Sequence, residues 1–278
     1  HKSEKVEAGD YGLLEKLVTL YDEPYADSSA IPTYRVCELA RKHVTVALSG
    51  DGGDENSIGY RRYKLFAMEE KIRSFFPDKF RSAVFGPLGD YYPKLDWAPR
   101  VFRGKTTFQA LARNSADAYL HGVSIFPEEG RSWLFSDSLK QDLQGYSSRQ
   151  IFENHLQDKE FSDPLRMVQY LDFKTYLPGD ILTKVDRASM AHSLEVRVPF
   201  LDHTYVSWTA GVPTHDKLRS GSGKHVLKTA LEPLLPHEVL YRSKMGFAVP
   251  LDMWFRGSLS ERMTASLKGS QLVESGIF

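Results

Sequence analysis

VALSGDGGDEN, residues Val46–Asn56, is the stretch that decides how the rest of the chain reads. VALS carries no polar alternation, so His43–Ser49 reads as a short strand buried on both faces, as in a parallel sheet. It runs straight into three glycines and three acidic residues. Ligand sites in open α/β sheets lie beyond the carboxyl ends of the strands. Glycines at 50, 52 and 53 let backbone N–H groups come close to phosphate oxygens. Asp51, Asp54 and Glu55 offer the hard oxygen ligands that Mg²⁺ takes beside phosphates and water. A solvated Asp-Gly turn is the competing reading, and the segment alone leaves both open.

Outward from this loop the grammar is helix, strand, glycine-rich loop, helix, which is α/β. Leu13, Leu14, Leu17, Val18 and Tyr21 predict a helix over Tyr11–Tyr21. DEPYADSSAIP (Asp22–Pro32) is turn chemistry, and Val36, Leu39 and Ala40 mark a helix over Thr33–Lys42. Further helices are expected over Tyr60–Glu70, Thr106–Gly122, Asp137–Asn154, Pro164–Leu177, Gly179–His192, Tyr205–Ala210, Lys224–Leu235 and Leu259–Leu267. Phe75–Gly104 holds Pro77, Pro87, Pro93 and Pro99 among many aromatics and reads as an irregular, packed connection. One small parallel sheet with a predominantly helical remainder is the architecture implied.

The bulk numbers narrow the class. The 278 residues suffice for one large or two ordinary domains. Lys+Arg and Asp+Glu both count 36, so the chain as a whole carries no field for nucleic acid or a membrane surface. No apolar run reaches the roughly 20 residues that span a bilayer. The single cysteine, Cys37, excludes an internal disulfide framework and points to a reducing, cytoplasmic setting. It shares a helix with Val36 and reads as core rather than nucleophile.

Two more stretches carry chemistry. In YLPGDILTKVDRASMAHSLEVRVPFLDH (Tyr176–His203), Lys184, Asp186, Arg187, Glu195, Arg197 and Asp202 thread an otherwise apolar segment. Charges in such company are expected to be part-buried and then to need partners or a ligand. Structural Glu195–Arg197 and Asp186–Arg187 ion pairs are the plainer alternative. In YRSKMGFAVP (Tyr241–Pro250), Lys244 beside a Gly-Phe turn is placed to neutralise phosphate, or is an ordinary surface lysine. SGSGKH (Ser220–His225) is not a Walker loop, since Leu218 stands where its first glycine belongs and His225 where Ser/Thr belongs. The acidic loop does not fit EF-hand spacing either.

Together the three stretches resemble the synthetase domain of the asparagine synthetase family, glutamine-dependent amidotransferases of the PP-loop ATP pyrophosphatase fold. The matching blocks run in the family's order. They are DEPYADSSAIPTYRVCELARKHVTVALSGDGGDE with GYRRY, then YLPGDILTKVDRASMAHSLEVRVPFLDH, then KHVLKTALEPLLPHEVLYRSKMGFAVPLDMW. They span Asp22 to Trp254, with a weak middle from Phe75 to Ser162. The resemblance implies ATP-dependent activation of aspartate to β-aspartyl-AMP, followed by attack of ammonia delivered from a glutaminase domain. It implies nucleotide contact at Ser49 and Gly50, with Gly52 and Gly53 admitting phosphate. Asp51 becomes the acidic position linked to the intermediate, Asp54 the Mg²⁺ ligand at pyrophosphate, and Lys244 the lysine that stabilises the charged transition state. Arg187 and Arg197 anchor substrate or shape the pocket.

The departures are as informative. The family's SGGxDS loop and its cysteine-led glutaminase domain have no counterpart before Asp22. The expectation is a C-terminal piece, 1–278, of a longer polypeptide, inactive and weak in ATP binding by itself. A sheet lacking its first strand leaves an open edge that invites self-association, a homodimer included. NSIGY at Asn56–Tyr60 stands where the family more often has LFGGY, which puts the packing of that loop in question. Three competing readings stay in view. One is a β-lactam synthetase-like or other amidotransferase acting on a different carboxylate. The others are a non-catalytic module of synthetase shape and a Mg-dependent phosphohydrolase.

Overall fold

In the computed structural model, the structure describes residues 2–3, 11–93, 97, 99, 104–242, 249, 251–257 and 259–278. The chain forms two compact units. The first comprises residues 1–56, 175–211 and 226–275; the second comprises 57–174, 212–225 and 276–278.

The first unit is built on a helix pair and a two-stranded sheet. Helix Tyr11–Tyr21 has the expected bounds, and Leu13, Leu17 and Tyr21, four residues apart, form its buried stripe. The next helix is Ala30–Arg41 and buries Ala30, Ile31, Tyr34 and Cys37. It begins earlier than expected. The Asp27 carboxylate accepts the Ser29 N–H at 2.8 Å, and Ala30 N–H donates to the Asp27 carbonyl at 3.0 Å, so the turn chemistry runs directly into the helix. Pro32 then sits in the first turn, where a missing N–H costs no helical bond.

Strand β1 is Val46–Leu48 and β2 is Glu195–Arg197. They pair in parallel, with Val46 opposite Glu195, Ala47 opposite Val196 and Leu48 opposite Arg197. Ala47 and Val196 pack on the core of Leu13, Leu17, Ile31, Tyr34, Ala188 and Leu194. Side chains alternate across a strand, so Val46 and Leu48 point the other way and are 39% and 74% exposed. The α/β class and the parallel pairing agree with the sequence reading, but burial on both faces does not. One face of this sheet is covered and the other is open.

The segment after Lys174 also differs from a single helix over 179–192. A π-helix, Leu177–Leu182, precedes the α-helix Thr183–Met190. Pro178 stands at the start of the π turn, and such turns concentrate at functional sites.

The second unit is helical. Helices Arg61–Arg73, Lys105–Ala112, Ser115–Val123, Ser148–Leu156 and Pro164–Lys174 are among those that build it. Ile58, Tyr63, Phe66, Tyr119, Phe152, Val168 and Leu171 form its core. The stretch read as irregular holds a 14-residue helix, Asp78–Tyr91, with Pro87 inside it. Buried Arg81 ties that helix down by donating to the carbonyls of Leu111 at 3.1 Å and Arg113 at 2.8 Å. Two expected helices are each broken in two. Asn114 caps Ser115–Val123 by accepting the Asp117 N–H at 2.9 Å. Gln144 and Gly145 take left-handed backbone (φ +48° and +78°) and end Asp137–Leu143.

Ile58, fully buried, has φ +54°, a left-handed conformation that a β-branched residue rarely takes. The loop before helix His225–Leu231 holds it there. Lys224 N–H donates to the Ser57 carbonyl at 2.8 Å, and a Cβ on Gly223 would overlap the Ile58 carbonyl.

Candidate functional site

The acidic loop begins where the sheet ends. Ser49 N–H donates to the Arg197 carbonyl at 2.8 Å, one step past the last β1–β2 pair. The Ser49 hydroxyl turns back to donate to the Asp51 carboxylate. Gly53 N–H closes the turn on the Gly50 carbonyl at 3.3 Å, and Gly53–Asn56 forms a single helical turn. Gly52 has φ +80° and lies under Leu201, whose side chain would collide with any Cβ at 52. Asp51 and Asp54 are half-buried on this turn, while Glu55 is 1% exposed. Burial first, and then the Asp51 carboxylate, pushes the Cys37 thiol upward, so the cysteine stays protonated and inert in the core.

The remaining predicted residues divide. Arg197 meets the loop only through its backbone, because its Nε donates to Glu195 Oε1 at 2.7 Å and both side chains are exposed. Arg187 is exposed too, with Nη1 at 3.4 Å from Asp186 Oδ2. The expectation of part-buried charges at Asp186, Arg187, Glu195 and Arg197 is therefore wrong. These are local pairs standing in water, the plainer of the two alternatives. Lys244 lies outside the described residues.

The buried charge of this segment is Lys184, 7% exposed. Its Nζ is 2.5 Å from Asp27 Oδ2 and 2.8 Å from Ser29 Oγ. Burial raises the Asp27 carboxyl, but bonds from Lys184 and Ser29 outweigh it and hold the group below its ordinary value. Tyr21 donates to the Lys184 carbonyl at 3.1 Å, and Tyr25 donates to the Asp180 carbonyl at 2.7 Å. Tyr21 and Tyr25 stack with centroids 4.3 Å apart. Beside them opens a cavity of about 810 Å³, lined by Leu17, Tyr21, Tyr25, Asp27, Ile31 and Phe255 among others. Sequence reasoning took Asp27 as turn chemistry and expected Lys184 to be part-buried with a partner or ligand; at Lys184 that expectation holds, and what the sequence did not name is the partner. The signal was available: an acid closing DEPYAD and a lysine on the apolar stripe of a helix each need a buried partner.

Among the described residues no group of three His, Cys, Asp or Glu side chains is arranged to hold a metal ion. None of the described helices is long and apolar enough to cross a membrane.

The family model described as asparagine synthase matches residues 1–278, the whole chain. The chain belongs to the asparagine synthase family. It is 33% identical over 258 residues to the glutamine-hydrolyzing asparagine synthetase 1 of Bacillus subtilis (strain 168), covering 93% of this chain and 39% of that protein. It is 35% identical over 115 residues to the glutamine-hydrolyzing asparagine synthetase 3 of the same organism, covering 41% of this chain and 19% of the relative. It is also similar to amidase chry2 of Gibberella zeae, 26% identical over 270 residues and covering 88% of this chain and 38% of the relative. The chain thus spans about two fifths of the length of relatives that it matches nearly end to end. No solved structure matches.

Proposed function

We propose that this asparagine synthase chain is the carboxylate-activating part of a glutamine-dependent asparagine synthetase. ATP activates aspartate to β-aspartyl-AMP, and ammonia from a glutaminase domain displaces AMP. The observation that carries the reading is the glycine-acid turn at the carboxyl end of β1, with the Ser49 hydroxyl on Asp51 and with Asp51 and Asp54 both half-buried on the turn. Strand ends of this kind are where α/β sheets bind nucleotides. Family membership across the whole chain, and two relatives named as glutamine-hydrolyzing asparagine synthetases, support it.

The donor set suits Mg²⁺ bound mainly by substrate. Such an ion keeps water and phosphate oxygens and needs one or two protein carboxylates, here Asp54 with Asp51 nearby. When bound, it offsets charge developing on pyrophosphate. Ser49 and Gly50 line the phosphate side, Gly52 and Gly53 are packed under Leu201 and against Phe200 and hold the turn tight, Asp51 orients the reacting end, and Lys244 adds positive charge where charge builds up. Arg187 and Arg197, exposed and lightly held by their neighbours, are free to exchange those acids for substrate oxygens.

The rest of the enzyme, with the SGGxDS loop and the glutaminase domain, belongs to a longer polypeptide. The open sheet face at Val46 and Leu48 supports this, since parallel sheets are otherwise covered on both faces. The share of the relatives that the chain spans supports it as well. Tight Mg·ATP binding by the 278 residues alone would count against it.

The test is aspartate-dependent ATP–pyrophosphate exchange in the complete enzyme. Asp54→Asn and Lys244→Ala should each lower it about 100-fold or more. Exchange unchanged in both variants overturns the assignment. Similarity to an amidase gives weight to a second reading, activation of a different carboxylate. Pyrophosphate release across a panel of carboxylic acids separates the two.

A further inference from the structure

Asn56 ends the acidic turn and is 2% exposed. A primary amide out of water must place two N–H donors and a carbonyl acceptor. Asn56 Nδ2 donates to the Gly52 carbonyl at 2.9 Å and the Phe200 carbonyl at 2.7 Å. Its Oδ1 accepts from Thr209 Oγ1 at 2.6 Å, and Thr209 is itself 4% exposed. Two carbonyls on one side and a hydroxyl on the other fix which way the amide faces. One side chain therefore joins the turn that carries Asp51 and Asp54, the 3₁₀ turn Pro199–Leu201 and the helix His203–Gly211.

We propose that Asn56 is the positioning residue of the acidic loop, a clamp that keeps the turn closed against Leu201 and so sets the spacing of Asp51 and Asp54. An apolar side chain of similar size at 56 could make none of these bonds. Asn56 touches no reacting atom. What the loop positions rests on the function proposed above, whereas the clamp itself does not.

Amide hydrogen exchange at Gly53 and Asn56 reads the clamp directly, because their N–H groups close the turn on Gly50 and Gly52. In the 278-residue chain, Asn56→Leu should speed exchange at both sites by about 10- to 100-fold, as expected when buried partners lose their bonds. Thr209→Val, a milder change if Asn56→Leu fails to fold, should speed it by about 3- to 10-fold. Thr209→Ser keeps the hydroxyl and should restore the original rates, which a role in filling space would not. In the complete enzyme, Asn56→Leu should raise the Mg²⁺ concentration for half-maximal pyrophosphate exchange by about 10-fold and leave KM for aspartate unchanged. Unaltered rates at Gly53 and Asn56 in Asn56→Leu overturn the clamp whatever the enzyme catalyses. Faster rates with an unaltered Mg²⁺ requirement overturn the positioning role. A complete wild-type enzyme without aspartate-dependent exchange breaks the functional reading instead, and the amide rates still decide the clamp.

Discussion

Arg62 and Arg197 each meet a carboxylate at 2.7 Å, in opposite settings. The Arg62 partner, Asp172, is 1% exposed and also accepts from Tyr119 at 2.6 Å and from Tyr63. Arg62 lies over the Tyr60 ring at 3.9 Å. Arg197 and Glu195 stand in water, 65% and 56% exposed. The distances match and the energetics do not. A carboxylate wrapped in donors is fixed by the fold, and losing it strands everything around it. A pair on an open sheet face contributes little to stability and can change partners. Charges that hold the molecule are buried with several contacts, and those proposed to meet a substrate keep one solvated neighbour.

The sharpest way to break this comparison is at its buried end. Asp172→Ala should destabilise the chain by about 3–5 kcal/mol, measured by urea unfolding. A cost below about 1 kcal/mol would put the network in the class of surface pairs. Lys184→Met, which leaves Asp27 without its ammonium, should cost about 3 kcal/mol by the same measurement.

Glu69 tests the middle ground. Its Arg73 partner is 3.7 Å away and closer to Glu70, so burial dominates and pushes the carboxyl from its ordinary 4.5 up to about 7. The folded state then binds the proton more tightly than the unfolded one. The Glu69 contribution to stability should rise as pH falls from about 7 toward 4.5, by about 2 kcal/mol after solvent screening, against the opposite slope of His121 and His192, which burial pushes below their ordinary value. The stability difference between Glu69→Gln and the wild type, from unfolding measured across pH 4.5–8, should follow that contribution. A difference that does not change with pH overturns the assignment to Glu69. At the exposed end, a double-mutant cycle on Arg197→Ala and Glu195→Ala should return a coupling of about 0–1 kcal/mol. A larger value would erase the contrast.

What the sequence reveals and what it hides follow from range. Leu13, Leu17 and Tyr21 announce their helix because the pattern repeats within it. The glycine-acid turn is legible because its chemistry is contiguous, and so is the family resemblance built on it. Asp172 is 110 residues from Arg62, and Asp27 is 157 from Lys184. No local pattern records such pairs, and the densest run of charges mixes buried Lys184 with exposed Asp186, Arg187, Glu195 and Arg197, which spacing alone does not separate. Helix breaks were lost for a smaller reason. Asn114 and Gln144-Gly145 act through single caps that an apolar period runs straight across. Asp78–Tyr91 was hidden by proline count, although Pro77 only precedes the helix and Pro87 is accommodated within it.

Ile58 carries a consequence for how this chain can change. Its side chain fills the second unit's core while its backbone sits where glycine is at ease. Replacement by glycine relaxes the backbone and empties the core, whereas alanine empties the core and keeps the strain. Ile58→Gly should therefore be the less damaging of the two by about 1 kcal/mol in thermal unfolding, the reverse of their usual order. Neither single step is neutral. A route from this sequence to a glycine at 58 needs a neighbour such as Val168 or Leu171 to enlarge first, and Gly223 has to stay glycine throughout. The position is a ratchet: easy to hold, and open to change only in a set order.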